Sequence, residues 1–186
     1  MQNLSRENLE TFYSLFIEDI SLSDFEKWIY SNSDLEKSLS ADIYHDLISF
    51  NYKSDSSKDR FYKLIFTNLL DVNDFEKWKI IRLLRNSLNN KNLPVNLMLM
   101  YELYCKGYDF LHNLGLGYGL TLKVPISTKL KKDNWWDLTE NEKIELLESF
   151  QPDLNNQIEH LLEEINSGEI LFNGRLNEDY IYEYKS

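Results

Sequence analysis

The chain of 186 residues carries 20 Lys+Arg against 31 Asp+Glu, a formal net charge of −11, with only six glycines and three prolines. That length can bury a real core in one domain or two small interlocked ones, and the scarcity of turn residues disfavours sandwiches and disordered linkers. The acidic balance opposes nucleic acid and anionic membranes, no run of 18 apolar residues occurs, and the single cysteine, Cys105, excludes an internal disulfide.

The charge is unevenly placed. Residues 1–132 hold 17 basic and 17 acidic side chains, whereas residues 133–186 hold 3 and 14, so the whole excess of −11 lies in the last 54 residues. Such a field steers basic partners and also serves plain solubility. The opening MQNLSRENLE has no basic region followed by an apolar stretch, so a cytoplasmic setting is expected.

In chain order, Leu9, Phe12, Tyr13, Phe16, Ile17 and Ile20 recur at spacings of three and four and predict a first amphipathic helix capped by Ser5. Ser23 and Glu26 have the spacing of a capping box for a second helix with Phe25, Trp28 and Ile29. Another start is expected at Ser40, with Ile43, Tyr44, Leu47 and Ile48 on one face. A polar stretch, 51–60, then leads into FYKLIFTNLL and a second DFEKW, 50 residues after the first. Phe16 and Phe66, and Leu15 and Ile65, fall in the same frame, so a helical hairpin used twice is expected, with chance similarity as the alternative.

Pro94 suits the first turn of a helix through VNLMLMYELYCKGYDFLHNL, which is apolar nearly all round and is expected to be buried centrally with Cys105 as a small core residue. Gly115, Gly117 and Gly119 then predict a flexible turn leading to an extended piece at 120–124. A phosphate loop needs a strand before its glycines and a helix after them, the reverse of this order. Thr139 and Glu142 form a capping box with Leu138 as staple, opening a helix through Ile144, Leu146, Leu147 and Phe150 that Pro152 ends. A further helix buries Leu154, Ile158, Leu161, Leu162 and Ile165 and closes at Gly168. Asn173-Gly174, followed by alternating Tyr180, Tyr182 and Tyr184, predicts a tight β-hairpin.

The fold expected is therefore mainly α, helical hairpins packed as a bundle or short repeat array with a small C-terminal β-hairpin. Its regions are 1–93, with both DFEKW hairpins, and 94–186, with the apolar helix, glycine loop, two acidic helices and hairpin.

Site chemistry is sparse. His45, His112 and His160 fall on separate helices, and His160 with Glu164 lacks the second histidine of a zinc helix, so no metal and no cofactor is expected. No G-x-S-x-G turn is present, and a thiolate within an apolar helix is disfavoured. A binder is expected over an enzyme. Asp133, Trp135, Trp136 and Asp137 place two adjacent indoles among acids, and both cannot face one core; exposure of at least one would make an interface residue. The alternative is that both cover the glycine loop. With the acids Glu140, Glu145 and Glu148 on the following helix, they are the candidate partner-binding residues.

The segment DFEKWIYSNSDLEKSLSADIYHDLISFNYKS, residues 24–54, resembles the N-terminal stretch of small acidic proteins of low-GC Gram-positive bacteria, among them immunity proteins of polymorphic toxin systems, the match being good over residues 23–53. The resemblance implies a protein that binds and neutralises a cognate toxin made by the same cell, and it transfers no catalytic residues. An acidic binder suits a basic toxin, because carboxylates can occupy the surface where phosphates would lie. The competing expectation is a structural or scaffold module in which the two hairpins present a groove to a peptide or subunit.

Overall fold

The computed structural model describes residues 4–53, 58–124, 132, 134–179 and 181–185. It is mainly helical with one small C-terminal β-hairpin, and it divides into two compact units, 1–75 and 76–186.

Unit 1 contains α1 (Arg6–Phe16), α2 (Leu22–Ser31), α3 (Ser33–Ser38), α4 (Ala41–Ile48), α5 (Lys58–Asn68) and the start of α6 (Val72–Leu88). Ser5 caps α1 as its sequence predicts, its side chain accepting from Asn8 N. Ser40 precedes α4, without a side-chain cap bond. The cap of α2 is Ser21 rather than Ser23: its Oγ accepts from Asp24 N at 3.1 Å and donates to the Asp24 carboxylate at 2.7 Å. Two serines with an acid three residues on compete there, and the earlier one wins because helical geometry already begins at Leu22.

Both DFEKW segments follow a short turn between two helices, with N-terminal oxygens in the same frame. Asp71, 50 residues after Ser21, accepts from Asn73 N at 2.8 Å and Asp74 N at 3.2 Å. The frame-related pair Phe16 and Phe66 pack on each other, ring centroids 4.5 Å apart. The core around them is aromatic: Phe12 lies edge-on to Phe25 and Trp28, and Phe25 edge-on to Phe61. Each such pair adds about 0.5–1.5 kcal/mol beyond its buried area.

Unit 2 is built on the rest of α6, α7 (Leu93–Cys105), a π-helix (Asn113–Gly119), α8 (Leu120–Lys123), α9 (Glu140–Ser149), α10 (Asp153–Ser167) and the strands β1 (Arg175–Leu176) and β2 (Tyr182–Glu183). Pro94 stands in the first turn of α7, as its fixed φ and missing N–H favour. This helix is covered on one side only: Leu93, Leu97, Met100 and Leu103 are buried, while Val95 and Leu99 are exposed. Cys105, at its last turn, is exposed rather than part of the core.

The glycine segment departs most from its sequence reading. Instead of a turn and an extended piece, it forms the π-helix and then α8, with Leu120 N donating to Gly115 O five residues back. Two of its glycines are there for close packing on α7. A Cβ at Gly115 would stand 3.0 Å from Tyr104 Cβ, and one at Gly119 would run into Leu97 O; a Cβ at Gly117 would meet nothing. Their four-residue spacing puts two missing side chains on one face, as in small-x-x-x-small helix contacts.

Downstream, α10 buries Leu154, Ile158, Leu161 and Ile165 and ends at Gly168, whose φ of +83° suits glycine at that cap. The antiparallel hairpin lies further on than Asn173-Gly174 predicts. Arg175 pairs with Glu183 and Leu176 with Tyr182, and the turn is closed by Asn177, whose side chain accepts from Asp179 N and Ile181 N. Gly174 packs under Tyr182, its N–H donating to the phenol oxygen at 2.8 Å, so this glycine provides room rather than a turn. Tyr180 lies outside the described residues.

Three buried phenols tie stability to alkaline pH. Burial, with Asp74, Asp71 and Glu10 nearby, pushes Tyr13 up to about 12; burial also raises Tyr52, and burial with the Glu76 carboxylate raises Tyr108. Phenols in an unfolded chain ionise near pH 10. Above that value the unfolded state sheds protons the folded state keeps, so stability is full below pH 10 and falls as pH rises further. Tyrosinate absorbance and far-ultraviolet circular dichroism should therefore change together in a cooperative alkaline transition. Ionisation of every tyrosine with the helical signal intact would contradict this.

Candidate protein-binding surface

The candidate surface begins in a single 3-10 turn, Trp135–Asp137. Asn134 organises it: its side-chain oxygen accepts from Trp136 N at 2.9 Å and its amide donates to Asp137 Oδ2 at 2.6 Å. The turn sends the two indoles apart. Trp135 is 5% exposed and belongs to the core with Leu138, whereas Trp136 is 67% exposed. Trp135, expected among the partner-facing residues, is thus an anchor, because successive residues of so tight a turn point in different directions. Asp133 lies outside the described residues.

Leu138 leads into α9 through the expected capping box. Thr139 Oγ1 accepts from Glu142 N, and the Glu142 carboxylate accepts from Thr139 N at 2.7 Å. These bonds to Thr139 hold the Glu142 carboxyl below its ordinary range.

Helical spacing places Glu140, Ile144 and Glu148 in one row, with Glu145 beside it. Ile144 is 54% exposed although apolar; Leu146 and Leu147 are half-buried, and Phe150 is buried. Ile144 points away because the inner arc of the helix is already occupied by Lys143, Leu146, Leu147 and Phe150. Glu140 is paired with Lys143 at 2.8 Å, and Lys143 also lies 5.8 Å from the Trp135 ring centroid. Glu145 and Glu148 are exposed, and among the described residues no cation pairs with either. The outer face of α9 is therefore an apolar side chain among carboxylates, two of them uncompensated.

Elsewhere the chemistry is thin. His160 Nε2 stands 3.8 Å from Glu164 on an exposed helix face, and no cluster of three or more metal-binding side chains occurs among the described residues. No described helix is long and apolar enough to cross a membrane. A feature with no sequence signal is Glu76, fully buried at the head of unit 2. Its Oε1 accepts from the Tyr108 hydroxyl at 2.6 Å, and Oε2 lies 2.7 Å from Lys79 Nζ. That last contact is an ion pair set off the line of a directed hydrogen bond.

Comparison with known protein families, curated proteins and solved structures finds no match.

Proposed function

We propose that the chain is a binding protein for a basic protein partner, engaged through Trp136 and the outer face of α9. We further propose that the partner is a toxin domain made by the same cell, which the chain neutralises in the cytoplasm. The observation that carries the first part is the exposure of Trp136, held by a hydrogen-bonded turn beside a buried Trp135. A large indole held rigidly in water loses little conformational freedom on binding, and such residues dominate interface energies. Asp137, Glu140, Glu145 and Glu148 supply charge of the sign that accelerates capture of a basic protein. The toxin reading rests on the resemblance of residues 23–53 to immunity proteins. It implies inhibition by occlusion, with carboxylates standing where a substrate's phosphates would lie.

Co-purification from the native host identifies the partner, and stopped-flow association with it then tests the surface. Glu145→Lys with Glu148→Lys should slow association by about tenfold at low salt and flatten its salt dependence. Trp136→Ala should raise the dissociation rate, weakening the complex by on the order of thirtyfold, with the fold unchanged. Unaltered rates in both variants would remove this surface from the interface. A partner bound without loss of its toxicity would leave a binder but not an immunity protein.

A further inference from the structure

Unit 1 holds two cavities that share one wall. The larger, about 420 Å³, lies between the end of α4 and one face of α5. Phe50 and Leu64 give it apolar surface, and Arg60 and Lys63 give it two cations against the single carboxylate of Asp46. Both cations are exposed, and no ion pair joins either to a described residue. The smaller, about 230 Å³, is lined mainly by the apolar Leu15, Ile20, Leu22 and Phe61, with Tyr62, Ser21 and the Glu18 carboxylate completing it. Phe50 borders both. It is half-buried and packs edge-on to Tyr52 and tilted on Phe61, at 5.2 and 4.9 Å.

We propose that these cavities form one site for a small amphipathic anion of the fatty-acid kind, with its chain in the smaller cavity and its carboxylate at Arg60 and Lys63. A hydrocarbon chain laid against Leu15, Ile20, Leu22 and Phe61 removes apolar surface from water on both sides of the contact. A carboxylate meets the planar donor fork of Arg60 in two parallel hydrogen bonds, with Lys63 as a second positive charge. Phe50 lines both spaces and so stands where chain and head would join. The site lies in unit 1 and is independent of the α9 surface.

Isothermal titration of the full chain with decanoate, below its micelle concentration, tests this directly. Saturable binding of one molecule per chain is expected, and octanoate, two methylenes shorter, should bind about tenfold more weakly. The uncharged 1-decanol should bind clearly less well than decanoate. Arg60→Glu with Lys63→Glu changes only exposed side chains, so circular dichroism should be unaltered while decanoate affinity falls by about tenfold. Ile20→Phe, which fills the smaller cavity, should weaken decanoate without affecting the unbound fold. Absence of saturable binding, equal affinity for decanol and decanoate, or indifference to the double charge reversal would each overturn the proposal.

Discussion

Glu76→Ala is expected to destabilise unit 2 by about 3–5 kcal/mol, the combined cost of leaving the buried Tyr108 hydroxyl without its acceptor and of the cavity left behind. The carboxylate is fully buried, accepts from the Tyr108 hydroxyl and neutralises Lys79. Without it a buried phenol loses its acceptor and a lysine its counter-ion. Tyr108→Phe should cost less, about 1.5–3 kcal/mol, since it removes one hydrogen bond to a charged group and leaves the ion pair. Combining Glu76→Leu with Tyr108→Phe should recover much of the loss, because no buried polar group is then left unsatisfied and Lys79, partly exposed, reaches water. Glu26 is an internal control: it occupies the same place in the first DFEKW segment but is only half-buried, and its alanine variant should stay within about 0.5 kcal/mol of the parent. Thermal unfolding followed by near-ultraviolet circular dichroism, which reads the aromatic packing around Tyr108, distinguishes these outcomes. Equal effects at Glu26 and Glu76 would refute the assignment.

Gly119→Ala should be strongly damaging, at about 3 kcal/mol or more. Its Cβ would run into Leu97 O and stand 2.9 Å from Tyr101 Cβ, both on α7. Backbone cannot rotate away as a side-chain tip can, so relief requires moving the π-helix off α7 and opening the contact that holds the core of unit 2. Gly117→Ala, two residues earlier, meets no atom and should be neutral or stabilising by about 0.5–1 kcal/mol through its better helical propensity. Urea denaturation of the two variants in parallel gives the comparison. Equal stability would show that the close approach of the π-helix to α7 does not persist in solution.

The sequence was most legible where local chemistry decides. Ser5, Pro94, Thr139 with Glu142, and Gly168 each mark a helix boundary, and the structure uses all four. The α10 stripe is equally plain, because a spacing of three and four leaves one buried face. Of the candidate interface residues, Trp136, Asp137, Glu140, Glu145 and Glu148 are exposed as expected, while Trp135 belongs to the core. Adjacency in sequence could establish that two indoles do not share one core; it could not say which would be buried.

Other features depended on distant partners. The glycines of LGLGYGL read as a turn because glycine carries no sign of whether it supplies conformational freedom or an absent side chain; α7 decides for the second. Gly174 has the same ambiguity, resolved by the Tyr182 ring, and the hairpin turn passes to Asn177. Cys105 and Ile144 have core-like identities, but burial depends on which arc of a helix its neighbours cover, and both fall on the uncovered arc.

By itself, then, the sequence determined the helical class, most of the caps, the terminal hairpin's existence and the concentration of negative charge in residues 133–186. Each of these depends on residues a few positions apart or on a sum over them. Tertiary structure alone decided that one of two identical DFEKW segments leaves its glutamate half-buried while the other buries it fully, that Trp136 and not Trp135 faces water, and that two glycines are contact surfaces. Those outcomes follow from what lies opposite each residue in space, which neither propensity nor periodicity encodes.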